Sequence, residues 1–343
     1  LKQIWLFSVR AYLRLALFFY FKKIEIQHIN RVPKNEAVIF LGNHQNALLD
    51  ALLIATKNGR FSYFLTRASV FNKPLVSKIL QSLQMLPVYR IRDGWGNLNK
   101  NNAVFSKTSK LLSERNAVVI FPEGSHHLNR TVRPLSKGFT RIIFETLERY
   151  PKTEIKLIPV GLNFKHAEKF SDTALIHFGK PITVGLELLE DKAQSVLKLK
   201  EEVSQQLKEL TIHIENDNYE LTLQQLKDLN VDFTKPETVN QCIANNFKDC
   251  KQAKPKLVHP IKQIAKVLLI LNLFAPYLIW KKIAEPKIKE IEFTSTFRFA
   301  IVISLVPIFI ILVMIILALL LSIKFAFLYV IAVIILALLS VKL

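Results

Sequence analysis

Only two cysteines occur in the 343 residues, Cys242 and Cys250. They fall in a polar, helical-looking stretch that gives neither a disulfide framework nor a zinc site, and a reducing compartment fits. Glycine is scarce as well, nine residues in all. No Gly-rich loop of the phosphate-cradling kind is present, which argues against a nucleotide-binding fold of that type. Ser125 follows Gly124 directly, outside any G-x-S-x-G frame, which argues against a serine hydrolase. There is no internal repeat, no low-complexity run and no cleavable signal with a small-residue cleavage site. Acidic residues are also few: 27, against 47 Lys and Arg, for a formal charge of +20. Such an excess attracts phosphorylated small molecules, anionic lipid headgroups or nucleic acid. The basic residues carry no aromatic-interleaved RNA motif, so nucleic acid is the poorest of these partners.

Apolar residues, by contrast, make up 50% of the chain and are unevenly spread. The run "FAIVISLVPIFIILVMIILALLL", 299–321, has no charge and is long enough to cross a bilayer core. A second run, 325–341, follows closely. The connection lacks Gly and Pro, so a helical hairpin and one long bent helix both remain open. Lys281, Lys282, Lys287, Lys289 and Arg298 lie just upstream, and the positive-inside rule keeps that flank cytoplasmic. The segment 267–280 is too short to span and contains Asn272 and Pro276; it reads as an interfacial or re-entrant helix. Residues 1–30 form an N-terminal unit. Its apolar stretch carries Arg10 and Arg14, and it reads equally as a helix on the membrane or one packed on the domain. The whole region 263–343 is expected to supply location, not chemistry.

Between these segments, strand candidates alternate with helical periodicity. "AVIFLG" at 37–42, "FSYFLT" at 61–66, "LPVYR" at 86–90, "NAVVIFP" at 116–122, "IKLIPVGLNF" at 155–164 and "ALIHFG" at 174–179 read as strands. Helical patterns cover 47–57, 74–84, 100–114 and 137–149. The alternation predicts an α/β domain over 31–186 with a largely parallel sheet. A helical accessory segment, 187–262, links it to the membrane region. In such sheets the active site collects at the carboxyl ends of the strands. "GNH", "YRIR" and "PEGSHH" each stand at or just after the end of a strand candidate.

The stretch "GNHQNALLD", 42–50, places His44 in a strand-to-helix turn with Asn46 as the helix N-cap. Asp50 falls about one turn into the helix. Residues six apart do not face each other on an uninterrupted helix. The pair meets only if His44 lies outside the helix and folds back over its first turn. A histidine held by a carboxylate is then a general base for a hydroxyl. A capping histidine beside an ordinary surface aspartate is the plainer reading of the two residues alone.

Further groups accompany them. "VIFPEGSHH" gives Glu123, Gly124, Ser125, His126 and His127; "RPLSKG" gives Arg133 and Lys137; "LPVYRIRDG" gives Arg90 and Arg92; "LIPVGL" carries Pro159 and Gly161. In order and spacing, over roughly residues 35–185, the set resembles the glycerolipid acyltransferase family. That family has an N-H-x-S-x-x-D motif, an F-P-E-G-T-R-S motif and a proline-bearing strand. Here five residues separate His44 from Asp50, and His126 stands where the family has Arg. Both departures resemble the branch of fungal glycerol-3-phosphate/dihydroxyacetone-phosphate acyltransferases, whose carboxy-terminal region is also membrane-associated.

The resemblance implies acylation of the sn-1 hydroxyl of glycerol 3-phosphate or an analogue, with 1-acylglycerol 3-phosphate as the alternative acceptor. The donor is an acyl thioester, acyl-CoA or acyl-carrier protein, and no metal or redox cofactor is needed. His44 and Asp50 are the expected catalytic pair. Arg90, Arg92 and Lys137 are expected on the acceptor phosphate, Arg in bidentate fashion; for Lys137 taken alone a solvated charge is the plainer reading. Glu123 is expected to orient an arginine or a free hydroxyl, beside Ser125 and His126, and backbone N–H groups around Gly124 or at the helix start to meet the oxyanion. His126 and His127 make a poor metal pair. A non-catalytic lipid-binding protein with a degenerate acyltransferase fold is the competing class.

Overall fold

The computed structural model of the protein describes residues 1–89, 99–248, 250–253 and 260–343. Within them lie strands β1 (Lys23–Gln27), β2 (Ala37–Gly42), β3 (Ser62–Arg67), β4 (Met85–Val88), β5 (Ala117–Ile120), β6 (Ile155–Phe164), β7 (Thr173–Phe178) and β8 (Ile182–Val184). They form one sheet in the order β1-β7-β6-β2-β5-β3-β4, with β8 also on β6. β2 runs parallel to β5 and β6, β3 parallel to β5 and β4, and β1 parallel to β7. β7 and β8 pair antiparallel with successive halves of the long β6. The sheet is thus mostly parallel and mixed at one side.

Every residue of β2 is buried, as expected of a central strand covered on both faces. On one face Val38, Phe40, Val160 and Leu162 pack under Leu49 and Leu53 of α2 (Ala47–Lys57). On the other, Ile39, Leu41 and Leu157 meet Phe139, Ile143 and Leu147 of α5 (Gly138–Arg149). Leu199, Val203 and Leu207 of α6 (Lys192–Leu210) complete that second layer. The sheet-packed layers therefore run on to residue 210, beyond the expected boundary at 186. Gly161 marks how closely α6 approaches: a Cβ there would lie 2.3 Å from the Leu210 carbonyl oxygen. Two strands escaped sequence reading. β1 is a five-residue edge strand with Lys23 and Glu25, and β8 has three residues.

The chain between contains α3 (Pro74–Ser82) and α4 (Asn101–Ser113), then α7 (Tyr219–Asp228) and α8 (Pro236–Ala244) after α6. Cys242 and Cys250 are joined in a disulfide, with Cα atoms 4.9 Å apart. Asn246 and Phe247 both take positive φ, which turns the chain back after α8 and closes the eight-residue gap. This corrects the expectation of two unlinked thiols and removes its argument for a reducing compartment.

The carboxy-terminal region begins with α9 (Pro260–Asn272) and α10 (Phe274–Leu278), where the chain bends by 93°. α11 (Thr294–Leu320) and α12 (Ile323–Lys342) follow as a packed pair, joined across 321–322. The pair settles on the hairpin rather than one bent helix. Two helical stretches, Ile291–Leu320 and Ile323–Lys342, are long and apolar enough to cross a membrane. The root of α11 is not peripheral: Phe299 is fully buried in the same cluster as Leu49 and Leu53. α1 (Lys2–Tyr20) lies across this root. Its Tyr20 ring meets Phe299 edge-on at 5.2 Å, and its Tyr12 hydroxyl donates to the Ile303 carbonyl. Arg14 Nε donates to the Thr56 carbonyl at 3.0 Å. Ile4, Phe7, Leu15 and Phe18 stay exposed. One side of α1 is thus domain core, and the other is an open apolar face.

Candidate active site

The turn after β2 is fixed by its amides, which free its histidine. Asn43 extends the β2–β6 ladder with its side chain: Nδ2 donates to the Leu162 carbonyl at 3.0 Å, and Oδ1 accepts the Leu162 N–H at 2.7 Å. Gln45 Nε2 donates to the Asn129 carbonyl at 3.2 Å. Asn46 stands at the N-cap, but its side chain does not cap; Nδ2 donates to the Ala167 carbonyl at 2.8 Å instead. The capping acceptor is Asp50, whose Oδ2 takes the Asn46 N–H at 2.7 Å. This polar run between apolar segments is therefore a set of anchors around one outward-turned residue.

That residue is His44. Its Nδ1 lies 2.8 Å from Asp50 Oδ2. Asp50 is fully buried, while the His44 side chain keeps 16% of its exposure. The separation of six becomes contact because Ala47, the first residue of α2, has φ +39°. That left-handed kink reverses the chain ahead of the helix, and Ala, lacking a branch, bears it at modest cost. The imidazole stacks on Phe121 at 4.1 Å with planes 13° apart. An acceptor on Nδ1 fixes the tautomer with its proton there, so Nε2 presents a lone pair.

The loop after β5 lies against this turn: the His127 N–H donates to the His44 carbonyl at 3.0 Å. Glu123 is inside it, and its Oε2 takes Arg133 Nε at 2.7 Å and Nη2 at 2.5 Å. Arg133 Nη1 also donates to Ser125 Oγ at 2.7 Å, and Nη2 to the Ser125 carbonyl. Burial pushes the Glu123 carboxyl up to about 7, although Arg133 pulls the other way. Of the two partners expected for Glu123, an arginine or a hydroxyl of the acceptor, the structure shows an arginine. Gly124 adopts φ +73°, and its N–H donates to the Phe121 carbonyl at 3.1 Å. That amide is thus already engaged, which leaves its neighbours in the loop and the N–H groups at the start of α2 among the expected oxyanion donors. The His126 ring stands edge-on to His44 at 5.6 Å, and burial holds its pKa below the usual histidine range. Lys137 is the exposed N-cap of α5. Arg90 and Arg92 lie outside the described residues.

The root of α11 closes the arrangement. Phe293 packs edge-on to His126 at 4.6 Å, and Thr296 Oγ1 accepts the Leu48 N–H at 3.3 Å. Glu290 and Glu292 bring carboxylate oxygens within 4.8 Å of a His126 ring nitrogen and of one another. Among the described residues this is the one such group of three His, Asp or Glu side chains, and Glu290 is exposed. Sequence reading missed these tail residues because nothing in a run of membrane character signals a contact some 165 positions upstream. The sequence alone gives Arg133 no role; the Glu three residues after the β5 strand is the signal that wants such a partner.

The acyltransferase family model matches residues 23–163, which hold both loops. This stretch is an acyltransferase-family domain. Glycerol-3-phosphate O-acyltransferase 1 of Saccharomyces cerevisiae is 28% identical over 117 residues, 32% of this chain and 15% of that protein. Glycerol-3-phosphate O-acyltransferase 2 of the same yeast is 29% identical over 111 residues, 32% of this chain and 14% of that one. The matched stretch thus spans about a seventh of these yeast relatives. The 1-acyl-sn-glycerol-3-phosphate acyltransferase of Borreliella burgdorferi is 25% identical over 193 residues, 56% of this chain and 70% of that protein. The crystal structure of the 1-acyl-sn-glycerophosphate acyltransferase PlsC from Thermotoga maritima superposes at TM-score 0.43 with 17% identity, covering 60% of this chain and 81% of that one. The acyltransferase domain here carries its His44–Asp50 turn, its Glu123–Arg133 loop and Gly161 all within the matched residues.

Proposed function

We propose that the protein is a membrane-bound O-acyltransferase that moves a fatty acyl group from an acyl thioester to the sn-1 hydroxyl of glycerol 3-phosphate or dihydroxyacetone phosphate. The observation that carries the reading is the 2.8 Å contact of His44 Nδ1 with a buried Asp50, inside an acyltransferase-family domain. His44 Nε2 takes the proton of the acceptor hydroxyl as its oxygen attacks the thioester carbonyl. The tetrahedral adduct collapses, the C–S bond breaks, and the imidazolium returns its proton to the leaving thiolate. Asp50 holds the tautomer and stabilises the imidazolium while it lasts. Base catalysis of this kind contributes about 10²- to 10⁴-fold. Glu123 positions Arg133. Arg90 and Arg92 hold the acceptor phosphate. No metal or redox cofactor takes part.

The site opens beside the α11 root, so a lysolipid product leaves into the bilayer that holds α11 and α12. Lys281, Lys282, Lys287 and Lys289 keep this side at the cytoplasmic surface. A second reading, with 1-acylglycerol 3-phosphate as acceptor, is supported by the match to the Borreliella protein, which extends over 70% of it. An acceptor panel tests both. Full-length protein in detergent is given glycerol 3-phosphate, dihydroxyacetone phosphate or lysophosphatidic acid, each with acyl-CoA and with acyl-carrier protein. Acceptor-dependent release of the donor thiol is expected with the first two. Release with lysophosphatidic acid alone selects the second reading, and no release with any pair leaves a lipid-binding protein.

A further inference from the structure

A cavity of about 770 Å³ opens on the opposite face of the sheet from α2 and His44. Ala174, Ile176 and Phe178 of β7 point into the cluster under α2, so the alternation turns His177 to the α6 face. There it lines the cavity with His28, Arg31, Lys180, Lys208 and His213. His177 is only 4% exposed, and among the described residues its buried Nδ1 has no hydrogen-bond partner. A buried polar nitrogen without a partner is costly, and it marks a place where a ligand or water belongs. Burial holds this imidazole down at about 4, so it stays neutral and can donate one hydrogen bond or accept one.

The surroundings define what would fit. The His28 ring lies 5.1 Å from that of His177, carried there by a left-handed backbone at φ +57°. Arg31 is held in place through Nη1 on the Phe178 carbonyl at 3.0 Å. Three permanent cations thus stand around a neutral imidazole. Glu209 and Glu237 are also in the wall, suited to hydroxyl groups and not to phosphate. Leu210 is the sole aliphatic side chain among the described residues of the lining, so an acyl chain has nothing to pack on. α11 packs on α1 and α2, across the sheet, so the cavity also faces away from the membrane-length helices. A lipid headgroup is the poorer source of the phosphate.

We propose that this cavity binds a water-soluble phosphorylated sugar or polyol, with its phosphate on Arg31, Lys180 and Lys208 and its hydroxyls on His177 and the two carboxylates. The site is separate from the one assigned to acyl transfer, and it stands whether or not that assignment does.

Glucose 6-phosphate is the probe, titrated calorimetrically into the full-length protein in detergent. Saturable binding is expected, absent for glucose, weaker for inorganic phosphate, and not displaced by vesicles containing phosphatidic acid. The double variant Lys180→Gln/Lys208→Gln should weaken it at least about tenfold, the usual consequence of losing charge-assisted contacts. Both side chains are solvent-accessible, so the fold should survive, and an unchanged circular dichroism spectrum checks this. His44→Ala should bind the probe as the wild type does. Absence of binding, binding indifferent to the double variant, or binding lost in His44→Ala would each overturn the proposal. Displacement by the vesicles would replace the soluble ligand with a lipid headgroup and overturn it equally.

Discussion

Two buried carboxylates stand just past neighbouring parallel strands, Asp50 after β2 and Glu123 after β5, and they hold different kinds of partner. Asp50 Oδ2 meets a histidine nitrogen and a backbone amide. Glu123 meets the guanidinium of Arg133, which is always charged. A carboxylate beside an imidazole gains its full interaction only when the imidazole becomes protonated, which is the moment of reaction. One beside an arginine faces a charge that does not depend on the reaction, and so serves to fix shape. The first pair is on this argument a chemical device, and the second a brace for the loop that carries Ser125 and His126.

The largest effect should therefore come from His44. His44→Ala is expected to lower kcat by about 10³-fold, within the usual span for a general base. The side chain is partly exposed, and its main apolar contact is a stack on Phe121, so folding should survive. Steady-state kinetics on a variant with an unchanged melting curve is the measurement. A kcat within threefold of wild type would put the reacting base elsewhere and dissolve the contrast between the two loops.

Asp50→Asn should come next, at about 10²-fold in kcat or more, because an amide can settle the imidazole in the wrong tautomer. The Asn oxygen can still accept the Asn46 N–H, so the cap at the start of α2 can persist. A kcat loss without a KM change is the expected pattern. If instead the variant loses stability and keeps kcat, Asp50 is chiefly a helix cap and His44 works unaided.

These two residues also show how far the sequence could be read. β2, β6 and α2 match their sequence expectations residue for residue, because each combines a strong apolar pattern with a clear stop. The contact between His44 and Asp50 was conditional on a reversal before the helix, and the positive φ that makes it sits on an alanine. Nothing in the letter A announces that. Phe293, Glu290 and Phe299 reach the site or the core from the far end of the chain. A segment read as a membrane anchor gives no hint of such a contact, because its apolar character serves both purposes. α6 reads as accessory in the sequence because its exposed face is so polar; its buried stripe at Leu199, Val203 and Leu207 is narrow.

Glu123→Gln tests the brace, and its effect should be on stability. The Glu123 carboxyl is pushed by burial from about 4.5 to about 7 in the folded protein. A raised carboxyl pKa means that the folded state holds the proton more tightly. Its stabilising share is then complete below pH 4.5 and is lost as pH rises through 7, amounting to about 3 kcal/mol at most. Gln cannot ionise and keeps an oxygen for Arg133. The variant should match wild type near pH 5 and melt no lower, or higher, at pH 8. The opposite trend, wild type gaining over the variant as pH rises, would mean that the guanidinium outweighs burial and that this pair is a conventional salt bridge.

The smallest effect should come from Lys137, the remaining basic residue assigned to the acceptor in the loop after β5. It is exposed at the N-cap of α5, and among the described residues no side-chain hydrogen bond or ion pair engages it. A cation there faces the positive end of the helix dipole, which is unfavourable by about 0.3–1 kcal/mol unless an anion intervenes. If this loop is only a brace, Lys137→Gln should raise Tm slightly and leave KM for the phosphorylated acceptor within about twofold. If the acceptor phosphate rests at the start of α5, the same substitution should raise that KM tenfold or more, with the KM for the thioester unchanged. Initial rates over a range of acceptor concentrations separate the two. The second result would turn the β5 loop from scaffold into substrate site, and the division of labour between the two carboxylate loops would have to be redrawn around it.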